Sequence, residues 1–303
     1  MDNSNFVKKT FFQRLKGWAS KKLSPFSIVL FTILFLYSIS LIGIIFWGLI
    51  TSLKDGFEIR YNITGLPDKV TLNNYVVALS KFRIPLLYKD VYMPEMYLNS
   101  ILYAGGGALI ATFVPCLCGY LTGKFDYKFS KIITAIVLFC MIMPIVGSLP
   151  SEIQMAKALG IYNKIWGTWV MKFNFLGMYF LVFQTIFKSF AKEFTEAAKI
   201  DGANNYSIFF RIMLPLVKNT FFTVFLILFI QFWNDYQIAL IYIPDYPTIA
   251  LGAYRFSISQ EGELGSIEMK ISGAMLVFIP IFIVYAIFNK RLMGNLTLGG
   301  VKG

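Results

Sequence analysis

Residues 196–215 read EAAKIDGANNYSIFFRIMLP, a polar interruption between two long apolar stretches. The run of helix formers begins further back, with Phe190, Phe194, Ala197 and Ala198 three and four residues apart and Lys192, Glu193, Glu196 and Lys199 opposite them. Gly202 can take the positive φ that ends such a helix. Asn204 or Asn205 offers an N-cap for a second helix, which carries Tyr206, Phe209, Phe210 and Met213 as far as Pro215. The pattern predicts helix, glycine turn, helix, too short and too polar to cross a bilayer. From the residues alone it is either a linker resting on lipid headgroups or an element that protrudes to dock.

The surroundings decide the class. Of 303 residues 57% are hydrophobic and only 15% charged, more apolar surface than a water-soluble domain of this size can hide. A helix needs about 20 residues to cross a hydrocarbon core ~30 Å thick, and six stretches qualify, at 25–53, 98–121, 131–149, 168–190, 216–243 and 271–288. With the amino terminus in the cytoplasm, the whole net charge of +12 falls on the cytoplasmic segments, while the basic and acidic residues of the other side balance. The positive-inside rule accounts for that asymmetry, so no nucleic-acid partner is needed. Both termini are then cytoplasmic.

Several chemistries are excluded or disfavoured. The chain has no histidine, which removes serine or cysteine catalysis with a histidine base and most zinc sites. No phosphate-binding GxxxxGK[ST] loop occurs; Gly123-Lys124-Phe125 has the wrong spacing and follow-on residue. Cys116, Cys118 and Cys140 fall within predicted spans and read as small hydrophobes rather than a disulfide framework. The basic start, 1–24, precedes an apolar run too long for a signal peptide, so the first span is read as uncleaved.

Between the spans, 54–97 is long enough for a small outside cap, 151–167 has rough helical spacing for an interfacial helix, and 244–270, with Gly252, Gly262 and Gly265, reads as irregular. Pro115, Pro144, Pro280 and Gly105-Gly106-Gly107 are helix breakers that a bundle tolerates where neighbours satisfy the backbone.

The order Glu196-Ala197-Ala198, three residues, Gly202, nine residues, Ile212, one residue, Leu214-Pro215 resembles the EAA loop of ABC importer permeases at every anchor. Asp201-Gly202-Ala203, Trp233-Asn234 in the fifth span and the ending Gly299-Gly300-Val301-Lys302-Gly303 are similar to the maltose permease G type within the carbohydrate-uptake family. The resemblance runs from about residue 73 onward. It implies an all-α membrane protein, a type I importer bundle of six transmembrane helices (25–290) in the bacterial inner membrane, with cytoplasmic coupling helices in the 191–215 loop.

The resemblance also implies the partners. These are a homologous second permease subunit forming a heterodimer, two ABC ATPase subunits that bind ATP and Mg, an extracytoplasmic sugar-binding protein, an oligosaccharide substrate and the lipid bilayer. The chain itself holds no cofactor and catalyses no reaction. Glu196 would pair with a basic residue of the ATPase, Ala197 and Ala198 would permit close approach, and Gly202 would supply the bend. Asp201 is either a second charge contact or a helix-end residue. The outside loop with Ser259, Gln260, Glu261 and Gly262 would be a scoop entering the binding protein, though it differs in detail from the maltose version. The tail, 291–303, either reaches the ATPase or lies near anionic lipid.

For the substrate path, polar groups inside spans are informative because burying them costs free energy. Gln231, Asn234 and Asp235 supply donors and acceptors, and Trp233 and Tyr236 supply faces for a sugar ring. Asp235 either meets the sugar or pairs with a charge on the partner subunit. Lys172 either snorkels to the interface or attracts an acidic sugar. Trp166, Trp169, Tyr179 and Tyr242 read as interfacial belts. The competing functions are an importer subunit for a non-sugar solute and a transporter or channel working alone; a scaffold without transport explains neither Asp235 nor the loop.

Overall fold

The computed structural model describes residues 24–125, 127–143, 147–191, 193–258 and 266–296, with side chains as far as 288. Helix α1 (Pro25–Ser52) starts at Ser24, whose hydroxyl accepts from the Ser27 amide, and Pro25 occupies the first turn where its missing N–H is not needed. Its first two thirds expose nearly every side chain. Two short helices, α2 (Gly56–Ile59) and α3 (Asn73–Lys81), and an antiparallel hairpin, β1 (Arg83–Pro85) with β2 (Asp90–Tyr92), follow. These elements make 54–97 a folded segment. Asn74 Nδ2 donates to the carbonyls of Ser52 (3.0 Å) and Lys54 (2.7 Å), and the buried Lys54 ammonium donates to the Asn62 carbonyl (2.6 Å).

The centre of the fold is α4 (Met93–Lys124), a single helix that runs through Gly105–Gly107 and Pro115. Around it pack α7 (Ile165–Met171), α8 (Met178–Ser189), α12 (Lys218–Trp233) and α14 (Ile249–Ile258). Lipid tails are as apolar as leucine, so helices in a membrane associate through close packing rather than hydrophobic transfer. The α4–α8 pair shows this: a Cβ on Gly119 would lie 2.8 Å from Phe183 Cβ and 2.9 Å from the Gln184 amide nitrogen. Gly106 likewise leaves room for the Trp169 ring, whose Nε1 donates to the Leu102 carbonyl at 3.0 Å. The final helix, α15 (Ile267–Leu296), packs on α1, α3, α12 and α14. All three cysteines are free.

Among the described residues three helices are long and apolar enough to cross a membrane, α1, α4 and α15; a fourth span results if the segment 205–216 is joined to α12, from which it bends by 75°. The other expected spans differ from uninterrupted helices for local reasons. Helix α5 (Lys128–Ile142) stops where Met143, which precedes Pro144, is extended, since a following proline ring disfavours helical backbone. Residues 172–177 interrupt the stretch 168–190: the Asn174 side chain accepts from the Leu176 amide at 2.8 Å in an Asx turn before α8 begins. The stretch 216–243 is split at Asn234-Asp235 into α12 and α13 (Tyr236–Tyr242).

One loop expectation changes as well. Residues 249–258 of the segment read as irregular form α14, and Gly252 is there because a Cβ would collide with Phe82 and Met96. The segment expected to hold an interfacial helix contains α6 (Leu149–Ala158), which gains contacts with α13: Ala156 and Ile161 cluster with Tyr242, and the Asn163 amide donates to the Tyr242 carbonyl at 2.8 Å.

Candidate functional site

The loop at the Lys124 end of α4 has the predicted form. Helix α9 (Glu193–Ile200) exposes Glu196 and Ala197 and buries Ala198. Gly202 has φ +80°, its amide donates to the Lys199 carbonyl (3.0 Å), and the Ala203 amide donates to the Ala198 carbonyl (2.9 Å). This pair of bonds is a Schellman motif, satisfying carbonyls that the end of a helix leaves open. Asn204 is the N-cap of α10 (Asn205–Ile208), its Oδ1 accepting from the Ser207 amide at 2.8 Å.

The second helix then widens into a π turn (Phe209–Met213) and ends in α11 (Leu214–Leu216). Ile212 and Leu214 are half-buried and Pro215 is exposed. Two open hollows flank the bend. One of about 630 Å³ is bordered by Asp201, Ala203, Tyr206, Phe210 and Arg211; one of about 500 Å³ by Glu193, Phe194, Ala197 and Ile212. Tyr206, which borders the first, and Ile200 in the same loop stand 79% and 86% exposed. Large apolar groups and carboxylates thus share one exposed surface.

The intramembrane residues gather at the two broken helices. Asp235 caps α13, its Oδ1 accepting from the Ile238 amide at 3.1 Å, and its Oδ2 accepts from the Tyr103 hydroxyl of α4 at 3.3 Å. Lys172 ends α7; its ammonium lies 4.4 Å from the centre of the Phe232 ring and feels the charges of Asp235 and Glu152. Trp233 is packed against Phe229 and Tyr97, and its Nε1 is buried without a hydrogen-bond partner among the described residues. Tyr236 stacks on Tyr254 of α14 with ring centres 4.3 Å apart and planes 12° from parallel. Gln231 in α12 and Asn234 at its C-terminal end are exposed.

Lys172, Asp235 and Tyr236 therefore sit at helix breaks with partners inside the bundle, whereas Gln231 and Asn234 are exposed. Ser259, Gln260, Glu261 and Gly262 lie outside the described residues, as does most of 291–303. Tyr103, Tyr254 and Glu152 belong with the site and were not singled out by sequence; a tyrosine within an apolar span carries a hydroxyl that needs a partner, which is the available signal. Tyr242 and Trp169 do not behave as belt residues. Tyr242 is buried and donates to Glu152 Oε2 at 2.9 Å, and hydrogen bonds from Ser148 and Tyr242 hold the Glu152 carboxyl below the usual carboxylate range.

A helical bundle with three or four apolar spans, charges at helix breaks inside it and an exposed helix–turn–helix at one end is of the membrane-protein class. Residues 116–294 match the family described as binding-protein-dependent transport system inner membrane component, and the chain belongs to that family. It is a permease subunit, an inner-membrane component with several apolar helices, and not itself a catalyst. It is 26% identical over 263 residues to the sulfoquinovosyl glycerol transport system permease protein of Agrobacterium fabrum, covering 85% of this chain and 87% of that one. It is 28% identical over 242 residues to the trehalose/maltose transport system permease protein of Thermococcus litoralis, covering 78% and 82%. The expected kinship with carbohydrate-uptake permeases is borne out. Its fold matches a chain of a bacterial ABC transporter involved in the import of the acidic polysaccharide alginate, with a TM-score of 0.72 at 22% identity over 89% of this chain and 99% of that one.

Proposed function

We propose that this permease subunit carries an oligosaccharide across the membrane on the power of ATP hydrolysed elsewhere. The observation that carries the reading is the loop of residues 193–216: a carboxylate-bearing helix, a left-handed glycine, and a second helix that turns by 75° into α12. That geometry turns a push on an exposed surface into a tilt of a membrane helix. Glu196, Ala197, Asp201, Gly202 and Ala203 face the ATPase, Ala198 packs inward on the bundle instead, and Ile212, Leu214 and Pro215 join the loop to the span. ATP and Mg bind in two partner ATPase subunits.

The loop and both termini lie on the cytoplasmic side, six spans cross the membrane counting the broken ones, and a homologous permease completes a heterodimer. On the far side, Ser259, Gln260, Glu261 and Gly262 reach the sugar-binding protein, while the tail contributes to the ATPase contact. The substrate path runs past Gln231, Trp233, Asn234, Asp235, Tyr236 and Lys172, where the stacked Tyr236 and Tyr254 offer a face for a sugar ring. An acidic sugar would draw on Lys172. Asp235 and Glu152 act on that same ammonium, so a neutral, hydroxyl-rich chain fits the charge balance better.

The test is reconstitution with the partner permease, ATPase and binding protein, followed by a panel of oligosaccharides as stimulants of ATP hydrolysis. Stimulation by a sugar, abolished in Glu196→Lys, supports the reading; turnover and coupling unchanged in Glu196→Lys refute it.

A further inference from the structure

The loop packs on the membrane helices through an apolar face that includes aromatic rings. Within α9 only Ala198 is buried, while the second helix buries Ile208, Phe209 and Met213. Phe209 sits between two residues of α4 two helical turns apart: its ring centre is 5.0 Å from that of Tyr120 and 6.2 Å, edge-on, from that of Phe113. Phe210, 5.0 Å from Phe209, stacks on Phe113 at 6.3 Å.

Tyr120 continues the chain, edge-on to Phe187 of α8 at 5.4 Å and to Phe125 at 5.7 Å, and the Lys199 ammonium of α9 lies over the Phe125 ring at 6.0 Å. The recipients of any push are themselves locked together, because Gly119 and Gly123 let the backbones of α4 and α8 touch. The π turn starts at Phe209, and such turns re-aim side chains that an α-helix would place elsewhere.

We propose that Phe209 is the positioning residue that passes displacement of the loop to the α4–α8 pair, through Tyr120 and Phe113, in parallel with the covalent route into α12. This rests on the reading of the loop as the ATPase contact. Close-packed rings suit the role because a packed interior resists compression and hands on a shift, whereas a cavity absorbs it.

The experiment uses the complete complex, with Cys116, Cys118 and Cys140 replaced by alanine and a reporter Thr185→Cys on the exposed face of α8. Maleimide labelling of the reporter is compared between the nucleotide-free complex and the complex trapped with ATP and vanadate. In Phe209→Ala the ATPase subunits should still copurify, while the ATP-dependent change in labelling rate shrinks by about tenfold, the size of an ordinary coupling between sites. Phe209→Tyr should restore it, and Tyr120→Ala combined with Phe209→Ala should be no worse than either alone.

A labelling change that survives Phe209→Ala overturns the proposal. So does loss of copurification in both Phe209→Ala and the volume-retaining Phe209→Leu, which would make the ring a docking or folding element. A parent complex that neither retains ATPase nor responds to nucleotide refutes the functional reading itself, and so separates the two failures.

Discussion

Gly202→Ala is the sharpest perturbation of the loop. An added Cβ meets nothing within 4 Å, so the whole penalty comes from the backbone, whose φ of +80° an L-residue adopts at a cost of about 1–2 kcal/mol. The loop can escape that strain only by leaving the left-handed region, which breaks the Gly202–Lys199 and Ala203–Ala198 hydrogen bonds at about 1 kcal/mol each. Either route lowers the population of the native turn relative to open forms by roughly 5- to 30-fold. Amide exchange at 202 and 203 should accelerate by that factor, and ATPase retention by the purified permease should weaken in proportion. Gly160→Ala is a matched control: its φ is +67°, it too has open space, and it lies in the turn after α6, far in sequence from the loop. Equal effects of the two substitutions on ATPase retention, or unchanged exchange in Gly202→Ala, would refute the reasoning.

Gly119→Ala should destabilise the purified complex by about 1–3 kcal/mol, because the new methyl meets the backbone of α8 rather than a side chain that can swing away; thermal unfolding followed by size exclusion checks it. Asp235→Ala removes the cap of α13 and the Tyr103 acceptor, and should cost about 1–2 kcal/mol by the same assay. Glu152 gives a pH effect of known sign. Its carboxyl is held below the ordinary range by Ser148 and Tyr242, so its contribution is complete above the unfolded-state value of about 4 and disappears as pH falls through the lowered folded value. The group is only partly buried, so solvent screening keeps the effect under about 1 kcal/mol, and Glu152→Gln should flatten the acid limb of a pH–stability curve.

The loop was legible because every element of it is local. A capping asparagine, a left-handed glycine and a proline act on backbone within five residues, and those residues perform the same acts in the structure: Asn204 caps, Gly202 takes φ +80°, Pro215 starts the exit. The aromatic contacts of Phe209 were legible only as apolar positions, since nothing local says that Tyr120 and Phe113 lie opposite. Gly252 misled for a related reason: glycine marks a turn when its backbone needs freedom, but here it marks a close approach to Phe82 and Met96 from distant segments.

The broken spans escaped hydropathy because averaging over about 20 residues cannot see a break of a few residues flanked by apolar helix. A signal was nevertheless present in the charges. Lys172 stands at the C-terminus of α7 and Asp235 at the N-terminus of α13. Those are the ends where the helix dipole favours a cation and an anion respectively. In uninterrupted helices over 168–190 and 216–243, Lys172 would fall near the amino-terminal end, where the dipole opposes a cation, and Asp235 would fall inside the span, at a cost of several kcal/mol. The breaks create the termini that make these charges tolerable, and the charges give the breaks a reason to persist. Neutralising one member should therefore disturb the other's helix end: Asp235→Ala should loosen the turn at 172–177 as well as its own, read as faster amide exchange at Leu176, whose amide is held by Asn174. If exchange at Leu176 is unmoved while that at Ile238 accelerates, the two breaks are independent and the charges merely occupy them.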